Sequence, residues 1–431
     1  MGELIEETRP GRRMDGGMRA AGIALVVLGA AVAGVVAVTT PWQALSGARE
    51  VRPDPARDFT AAQIDRAAAF DSAVSLPAYL SLAVTLVVAG VFILTSFGAW
   101  AVDRLRGPWW LRVPLGVLVL SAVSLLLKWP LGMWYETRLR AYGLSTQDWA
   151  AWSADRLKGF AVQVVTTAIM IFAVVWLARR FRARWWIPAS IGAFVFTVAV
   201  SFVYPIVVEP LFNEFRPMPA GPLRADLIAM AARDGVPVKD VLVADASRRT
   251  TALNAYVSGF GATRRIVVYD TLLRAPEKEV ELVVAHELGH AKRGDVLYGT
   301  LVGALGAAAG ACLLFLVAGA PSLRRRARVP SVGDPRAVGL LLGLMAVATV
   351  LSGPAENVVS RAVEARADLH ALDLTRDPAT FVAMQRRLAV TNLSDLSPDA
   401  LEYILYASHP TPPQRIALAR FWARQNGLPE P

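Results

Sequence analysis

Two histidines and a glutamate form the motif in this chain that is best suited to chemistry. The segment HELGH places His286 and His290 four residues apart, with Glu287 next to the first of them. On an α-helix both imidazoles share a face and can bind one cation, while Glu287 can contact a water on that cation. Two histidines, a third protein ligand and an open position for water make a catalytic zinc site, in which Glu287 would take the proton of the attacking water. The alternative is a pair of helical histidines that only cap or pack.

A candidate third ligand lies further along the chain. In SRAVEARAD, Glu364 and Asp368 are also four residues apart and share one helical face. Two predicted membrane spans separate them from His290, and crossing twice returns the chain to its starting side. We predict that Glu364 binds the metal and that Asp368 fixes the tautomer of a ligand histidine. The alternative for Glu364 is a solvated helix face, paired with Arg361 and Arg366, which would contribute little.

The HELGH helix belongs to a predicted small α/β unit at residues 217–295. Its pattern predicts a helix at 223–233, a strand at 241–244, a strand pair at 251–257 and 264–269 joined by the turn SGFGAT, and a helix from about Pro276. Proline followed by glutamates in the first turn is typical of a helix N-terminus.

The remainder of the chain has the composition of a membrane protein. Of 431 residues, 55% are hydrophobic and only 19% are charged. Seven apolar runs can cross about 30 Å of hydrocarbon as helices, at 20–39, 76–97, 113–133, 160–178, 187–208, 296–318 and 337–351, the last continuing toward Ser360. The first run could alternatively be a signal peptide after Arg12, Arg13 and Arg19, but its length and the membrane segments that follow favour a retained span.

These elements predict an all-α multi-pass membrane protein with a small α/β zinc-peptidase subdomain. The predicted regions are a five-span N-terminal part (1–212), the α/β subdomain (213–295), spans six and seven (296–359) and a C-terminal helical segment with the third ligand (360–431). The net charge of +10 comes largely from arginines at span ends, at 179–184 and 324–328, which suits lipid headgroups rather than a nucleic acid. The lone Cys312 excludes an intrachain disulfide.

Several segments together resemble one protein family. VVAHELGHAKRGD, SRAVEARAD and SHPTPP, with EPLFNEFRPMP and LNAYVSGFGATRRIVVYDTLL, resemble the integral-membrane zinc metallopeptidases typified by the type I CAAX prenyl protease, which processes a-factor and prelamin A. The resemblance covers most of the chain and implies seven long helices around a water-filled chamber. It also implies one zinc ion per chain, bound by His286, His290 and Glu364, with Glu287 as the base.

The resemblance implies further site residues. Asn254 and Tyr256 would lie beside the substrate, and His409 and Arg415 would line the cleft. Independently of the resemblance, Asn254 lies on a predicted strand that could pair with an extended peptide, and His409 precedes a proline that keeps its backbone extended, so its ring could donate to an oxyanion. The alternatives are an ordinary strand residue and a surface histidine. We predict that His370 is structural.

The predicted function is therefore cleavage of membrane-associated peptides or proteins, with CAAX-type prenylated C-termini as one candidate substrate class. The alternatives are a four-span heat-shock-type membrane metalloprotease, a site-two-type intramembrane protease, whose third ligand would be an aspartate, and a catalytically silent zinc-binding scaffold. The expected partners are a polypeptide substrate and the lipid bilayer, without nucleic acid. Arginine placement favours a catalytic unit outside the cell, whereas the resemblance implies a cytoplasmic one; we follow the resemblance and predict a protein of the cell membrane.

Overall fold

The structure, a computed structural model, describes residues 11–259, 261 and 264–431. The side chains of Arg12 and Arg13 and part of the predicted SGFGAT turn lie outside this description. The N-terminal half is helical: α1 (Gly11–Thr39), α2 (Ser46–Glu50), α3 (Pro55–Asp58), α4 (Ala61–Leu94), α5 (Phe97–Asp103), α6 (Trp109–Ala141), α7 (Trp149–Arg180) and α8 (Trp186–Val203), the last continued by a π-helical turn at Tyr204–Val208 and a 3₁₀ turn at Glu209–Leu211.

The middle of the chain forms the predicted small α/β subdomain. Its elements are β1 (Phe215–Pro217), α9 (Pro222–Arg233), β2 (Asp240–Ala244), β3 (Ala255–Ser258), β4 (Arg265–Tyr269) and α10 (Glu277–Arg293). The sheet order is β1-β2-β4-β3, in which β2 and β4 are parallel and the other pairs antiparallel. Strand β3 therefore forms one edge of the sheet.

The C-terminal part returns to the membrane twice and then folds back on the subdomain. It contains α11 (Asp295–Ala318), α12 (Pro321–Arg326), α13 (Val338–Thr375), α14 (Pro378–Asn392), α15 (Ala400–Leu405) and α16 (Pro412–Gln425). One hydrophobic core joins the sheet to helices α9, α10, α14, α16 and the end of α13, and includes the fully buried Leu288, Leu372 and Phe381. This core holds α10 and α13 against each other.

Seven helices among the described residues are long and apolar enough to cross a membrane: α1, α4, α6, α7, α8, α11 and α13. They confirm the seven predicted spans, including the third, which carries Pro114 and Pro130 within a continuous helix. Six of them contact one another in a closed circuit, in the order α13, α4, α6, α7, α8, α11 and back to α13, and α1 packs against α11. None buries more than 33% of its most apolar segment. Helix α13 also contacts α6, and most of each apolar segment is exposed rather than buried inside the protein.

The structure corrects one local prediction and extends another. The strand expected at 251–257 begins only at Ala255, because the backbone N–H and C=O of Leu253 bond to the Asn392 side chain at 2.8 and 3.2 Å instead of to a neighbouring strand. The seventh helix, predicted to continue toward Ser360, extends without a break to Thr375 and so includes the predicted helix that carries Glu364. Its C-terminal half stays helical outside the apolar run because a buried face, which includes Ala371 and Leu372, packs in the core of the α/β subdomain.

A glycine pair sets the distance between α5 and α13. A Cβ added to Gly339 would lie 2.7 Å from the Cα of Gly98, a backbone contact that no side-chain rotation can relieve. We expect Gly339→Ala to lower the free energy of unfolding by about 1–3 kcal/mol. Gly306→Ala in α11 is the matched control, because no described atom outside its own stretch of helix lies within 4 Å of the added methyl group. Thermal unfolding in detergent tests this, and equal stability of the two variants would contradict it.

Candidate active site

Helix α10 presents His286 and His290 on one face, as their spacing predicts. The helix begins after Pro276, carries Glu277 and Glu279 in its first turn, and ends where Gly294 adopts the left-handed conformation. Its middle part is largely buried in the subdomain core, and His286 itself is only 6% exposed. The two Nε2 atoms lie 3.2 Å apart, so both imidazoles point toward one position.

Glu364 on α13 completes this group. Its Oε2 lies 3.2 Å from His286 Nε2, and its Oε1 lies 3.4 Å from His290 Nε2. Oε2 is buried and makes no hydrogen bond among the described residues. Tetrahedral zinc with ligands at about 2.0–2.1 Å places neighbouring ligand atoms about 3.3 Å apart. The three side chains therefore fit a zinc ion in both donor type and spacing.

The alternative of a solvated helix face around Glu364 does not hold. Glu364 is 9% exposed. Arg361, itself buried, donates from Nη1 to the carbonyl oxygens of Tyr403 and Ala407 at 2.9 and 2.6 Å, and Arg366 contacts Asp295. Neither arginine is paired with Glu364 on an open surface.

The Nδ1 atom of each candidate ligand histidine contacts a carboxylate, and each of these carboxylates pairs with an arginine. His286 Nδ1 lies 2.9 Å from Asp368 Oδ1, and Asp368, fully buried, accepts from Arg415 Nε at 2.7 Å. His290 Nδ1 lies 2.9 Å from Asp295 Oδ2, and Asp295 Oδ1 pairs with Arg366. A proton on Nδ1 that is donated to a carboxylate leaves the Nε2 lone pair available for a metal. Only the Asp368 contact was expected; Asp295 was missed.

The carboxylates make the site strongly attractive to positive charge. Burial alone would lower the pKa of His286, but Asp368 and Glu364 offset this and raise it. Burial likewise opposes protonation of His290, yet Asp295 and Glu364 raise its pKa to about 10. The same field favours a metal cation, whose binding would displace these protons. Enclosure at the cavity wall raises the pKa of the neighbouring Glu287 carboxyl.

A cavity of about 730 Å³ opens over this group. Its wall includes His286, Glu287 and Glu364 on the metal side, and Asn254, His409 and Arg415 among the residues around them. That volume is in the range of sites that enclose a small ligand or a short peptide segment. Glu287 thus borders a space in which a substrate could lie.

The remaining predicted residues fall in different places. His409 Nε2 lies 3.3 Å from Glu364 Oε2 at the cavity, and its side chain is 57% exposed. Asn254, exposed, directly precedes the edge strand β3, and its Oδ1 accepts from the Ala255 N–H at 2.9 Å. Tyr256 is not among the described residues that line the cavity, and its hydroxyl lies 3.3 Å from Glu209 Oε2.

His370 has the structural surroundings that we predict for it. Its Nε2 lies 2.9 Å from Asp234 Oδ2, and the same aspartate accepts from Lys292 Nζ at 2.6 Å. Asp234 is 7% exposed. These contacts tie α9, α10 and α13 together without touching a ligand histidine.

Two family models match successive parts of the chain. A model of peptidase family M48 matches residues 217–423, and a model described as the CAAX prenyl protease N-terminal region, five membrane helices, matches residues 42–214. The first of these segments contains both histidines of HELGH and Glu364. Together the two matches extend over most of the described chain.

Individual proteins match over similar lengths. The chain is 31% identical to the uncharacterized metalloprotease YhfN of Bacillus subtilis over 318 residues, which cover 73% of this chain and 74% of that protein. It is 30% identical to a CAAX prenyl protease 1 homolog of Oryza sativa subsp. japonica over 314 residues, covering 70% and 71%. The crystal structure of S. mikatae Ste24p has a TM-score of 0.75 to this structure at 21% identity, covering 93% of this chain and 98% of that one. This last likeness shows a common fold.

Proposed function

The chain belongs to peptidase family M48, as a membrane metalloprotease of the CAAX prenyl protease 1 type, and on that basis we propose that it is a zinc-dependent endopeptidase acting on membrane-associated polypeptides. The observation that carries the proposal is the convergence of His286, His290 and Glu364 to within 3.2–3.4 Å at the wall of a cavity that Glu287 also borders. A metal-binding scaffold would need the three ligands but not Glu287. Seven spanning helices and the matched N-terminal region exclude the four-span alternative.

The roles of the side chains follow from their positions. Zinc, when bound by the two histidines and Glu364, would lower the pKa of a water and polarise the substrate carbonyl. Glu287 is placed to accept the proton of an attacking water and to deliver it to the leaving amine, since it borders the cavity without being one of the three residues that would hold the metal. His409 also lines the cavity, with its Nε2 3.3 Å from Glu364 Oε2, and donates a hydrogen bond to the oxygen on which charge develops. Asp368 and Asp295 keep the ligand imidazoles oriented throughout.

The substrate is proposed to lie along β3 as an extended strand. An edge strand offers backbone donors and acceptors that recognise a peptide of any sequence. A catalytic site joined directly to two spanning helices, α11 and α13, suits a polypeptide held at the membrane, including a prenylated C-terminus. We place the protein in the cell membrane with its catalytic side in the cytoplasm. This orientation is tested by introducing single cysteines into the α/β subdomain and labelling them in intact cells.

The function is tested with a farnesylated C-terminal peptide and its unlipidated twin. We expect the zinc-replete protein in detergent to cleave at least one of them, and a chelator to abolish the cleavage. A preference for the lipidated peptide would support prenylated substrates, and equal rates would favour a broader set of membrane polypeptides. A stoichiometric zinc content without hydrolysis of either peptide or of a membrane-protein substrate would overturn the proposal in favour of a silent scaffold.

Substitution of Asn254 tests the proposed path of the substrate. A single hydrogen bond to the peptide backbone contributes about 0.5–1.5 kcal/mol, so Asn254→Ala should lower kcat/KM by roughly 2- to 12-fold. Steady-state kinetics with one peptide measures this, together with Tyr256→Phe, which deletes the hydroxyl directed at Glu209. An unchanged kcat/KM for Asn254→Ala would move the substrate away from this edge. A loss confined to Tyr256→Phe would assign substrate binding to Tyr256 instead.

A further inference from the structure

The helix that carries both histidines ends in an unusual junction. Gly294 closes α10 with φ of 71°, and the next residue, Asp295, is already the first residue of the spanning helix α11. The left-handed conformation costs an L-residue about 1–2 kcal/mol, a cost that glycine avoids. This turn brings the Asp295 side chain back against the helix that it follows, where its Oδ2 lies 2.9 Å from His290 Nδ1.

Asp295 is itself fixed from two sides. It stands in the first turn of α11, where the helix dipole stabilises a negative charge. Its second oxygen pairs with Arg366, which lies two residues after Glu364 on α13. The side chain of Asp295 is only 14% exposed, so this pairing is shielded from solvent. The carboxylate therefore has one well-defined position, and that position is behind His290.

We propose that Asp295, held by Arg366, is the positioning residue for the ligand His290, as Asp368, held by Arg415, is for His286. The proposal rests on the zinc site of the proposed function. It adds to that site a second residue that orients a ligand histidine. In both cases a carboxylate binds Nδ1 of the histidine and so directs Nε2 toward the metal position. Arg366 lies on the same helix as Glu364. One short stretch of α13 therefore supplies a ligand, Glu364, and also the arginine that holds Asp295 against His290.

The contact has a consequence for how the site is assembled. Asp295 belongs to the sixth spanning helix, and Arg366 to the seventh. The orientation of His290 thus depends on both helices being in place. A zinc affinity that falls when this contact is removed would show that the membrane helices contribute to metal binding and not only to anchoring.

The experiment measures zinc affinity of the full chain in detergent by competition with a chromophoric chelator. Asp295→Ala should weaken zinc binding by about 10- to 100-fold. Asp295→Asn keeps an acceptor oxygen but loses the charge, so we expect a smaller loss; it also provides a second variant if the alanine variant does not fold. Arg366→Met should weaken binding less than Asp295→Ala. The visible spectrum of the cobalt-substituted protein should change in Asp295→Ala, because one imidazole is no longer held in place.

Asp234→Ala is the matched control. It removes another buried carboxylate that contacts α10, through Lys292, and α13, through His370, but touches no ligand histidine. We expect it to lower thermal stability while retaining wild-type zinc affinity. Wild-type affinity in both Asp295 variants, or an equal loss in Asp234→Ala, would overturn the positioning role. Failure of the wild-type protein to bind zinc would instead overturn the proposed function together with this inference.

Discussion

Glu287→Gln is expected to abolish peptide hydrolysis while leaving the zinc content at the wild-type level. Glutamine has the size of glutamate but its amide cannot accept the proton of an attacking water, and general-base catalysis contributes about 10²- to 10⁴-fold to the rate. The metal should remain because Glu287 is not among the three side chains whose ligand atoms converge. The fall should appear in kcat more than in KM, since the lost interaction belongs to the transition state.

The control for this variant is Glu281→Gln on the same helix. Glu281 pairs with Lys278, an exposed residue one turn away, so its neutralisation removes a carboxylate from α10 without touching the cavity wall. We expect zinc content and rate to match the wild type. Zinc content and the rate of peptide cleavage, measured on the same preparations, distinguish a loss of catalysis from a loss of metal. Hydrolysis at the wild-type rate by Glu287→Gln would contradict the assignment of the base.

The convergence of the three candidate metal ligands could be predicted from the sequence in two steps. The i, i+4 spacing places His286 and His290 on one helical face whatever surrounds the helix. Glu364 required a topological argument as well, namely that two spans return the chain to its starting side. The structure has both spans, and the seventh helix continues unbroken to Glu364, so its carboxylate meets the two imidazoles.

Other parts of the site depend on contacts that no local pattern records. Asp295 lies five residues after His290, outside the helical spacing, and only the turn at Gly294 brings it back; a glycine at the end of the HELGH helix was the one available signal. The strand expected from residue 251 is shortened because Asn392, far along the chain, takes the place of a neighbouring strand. Strand β1 has three residues, too few for an alternating pattern to be recognised.

Glu364→Ala is expected to lose zinc. The variant keeps both histidines and their supporting carboxylates but removes one of three protein ligands. Altering a residue that merely supports a ligand costs about 10- to 100-fold in affinity, so loss of a ligand itself should cost more. Hydrolysis should fall to the level of the chelator-treated wild type. Because a ligand that binds only the folded state stabilises it, by about 2.7 kcal/mol at a hundredfold excess over Kd, zinc should raise the Tm of the wild type and not that of the variant.

Glu356→Ala provides the comparison, since it removes an exposed carboxylate from the same helix about 12 Å away along the axis. It should retain zinc, activity and the zinc-dependent rise in Tm. His290→Ala should behave like Glu364→Ala, because each substitution removes one of the three side chains whose ligand atoms converge. If Glu364→Ala bound zinc as tightly as the wild type and cleaved peptide at the same rate, the third ligand would have to be another residue. His409, whose Nε2 lies 3.3 Å from Glu364 Oε2, would then be the first side chain to test.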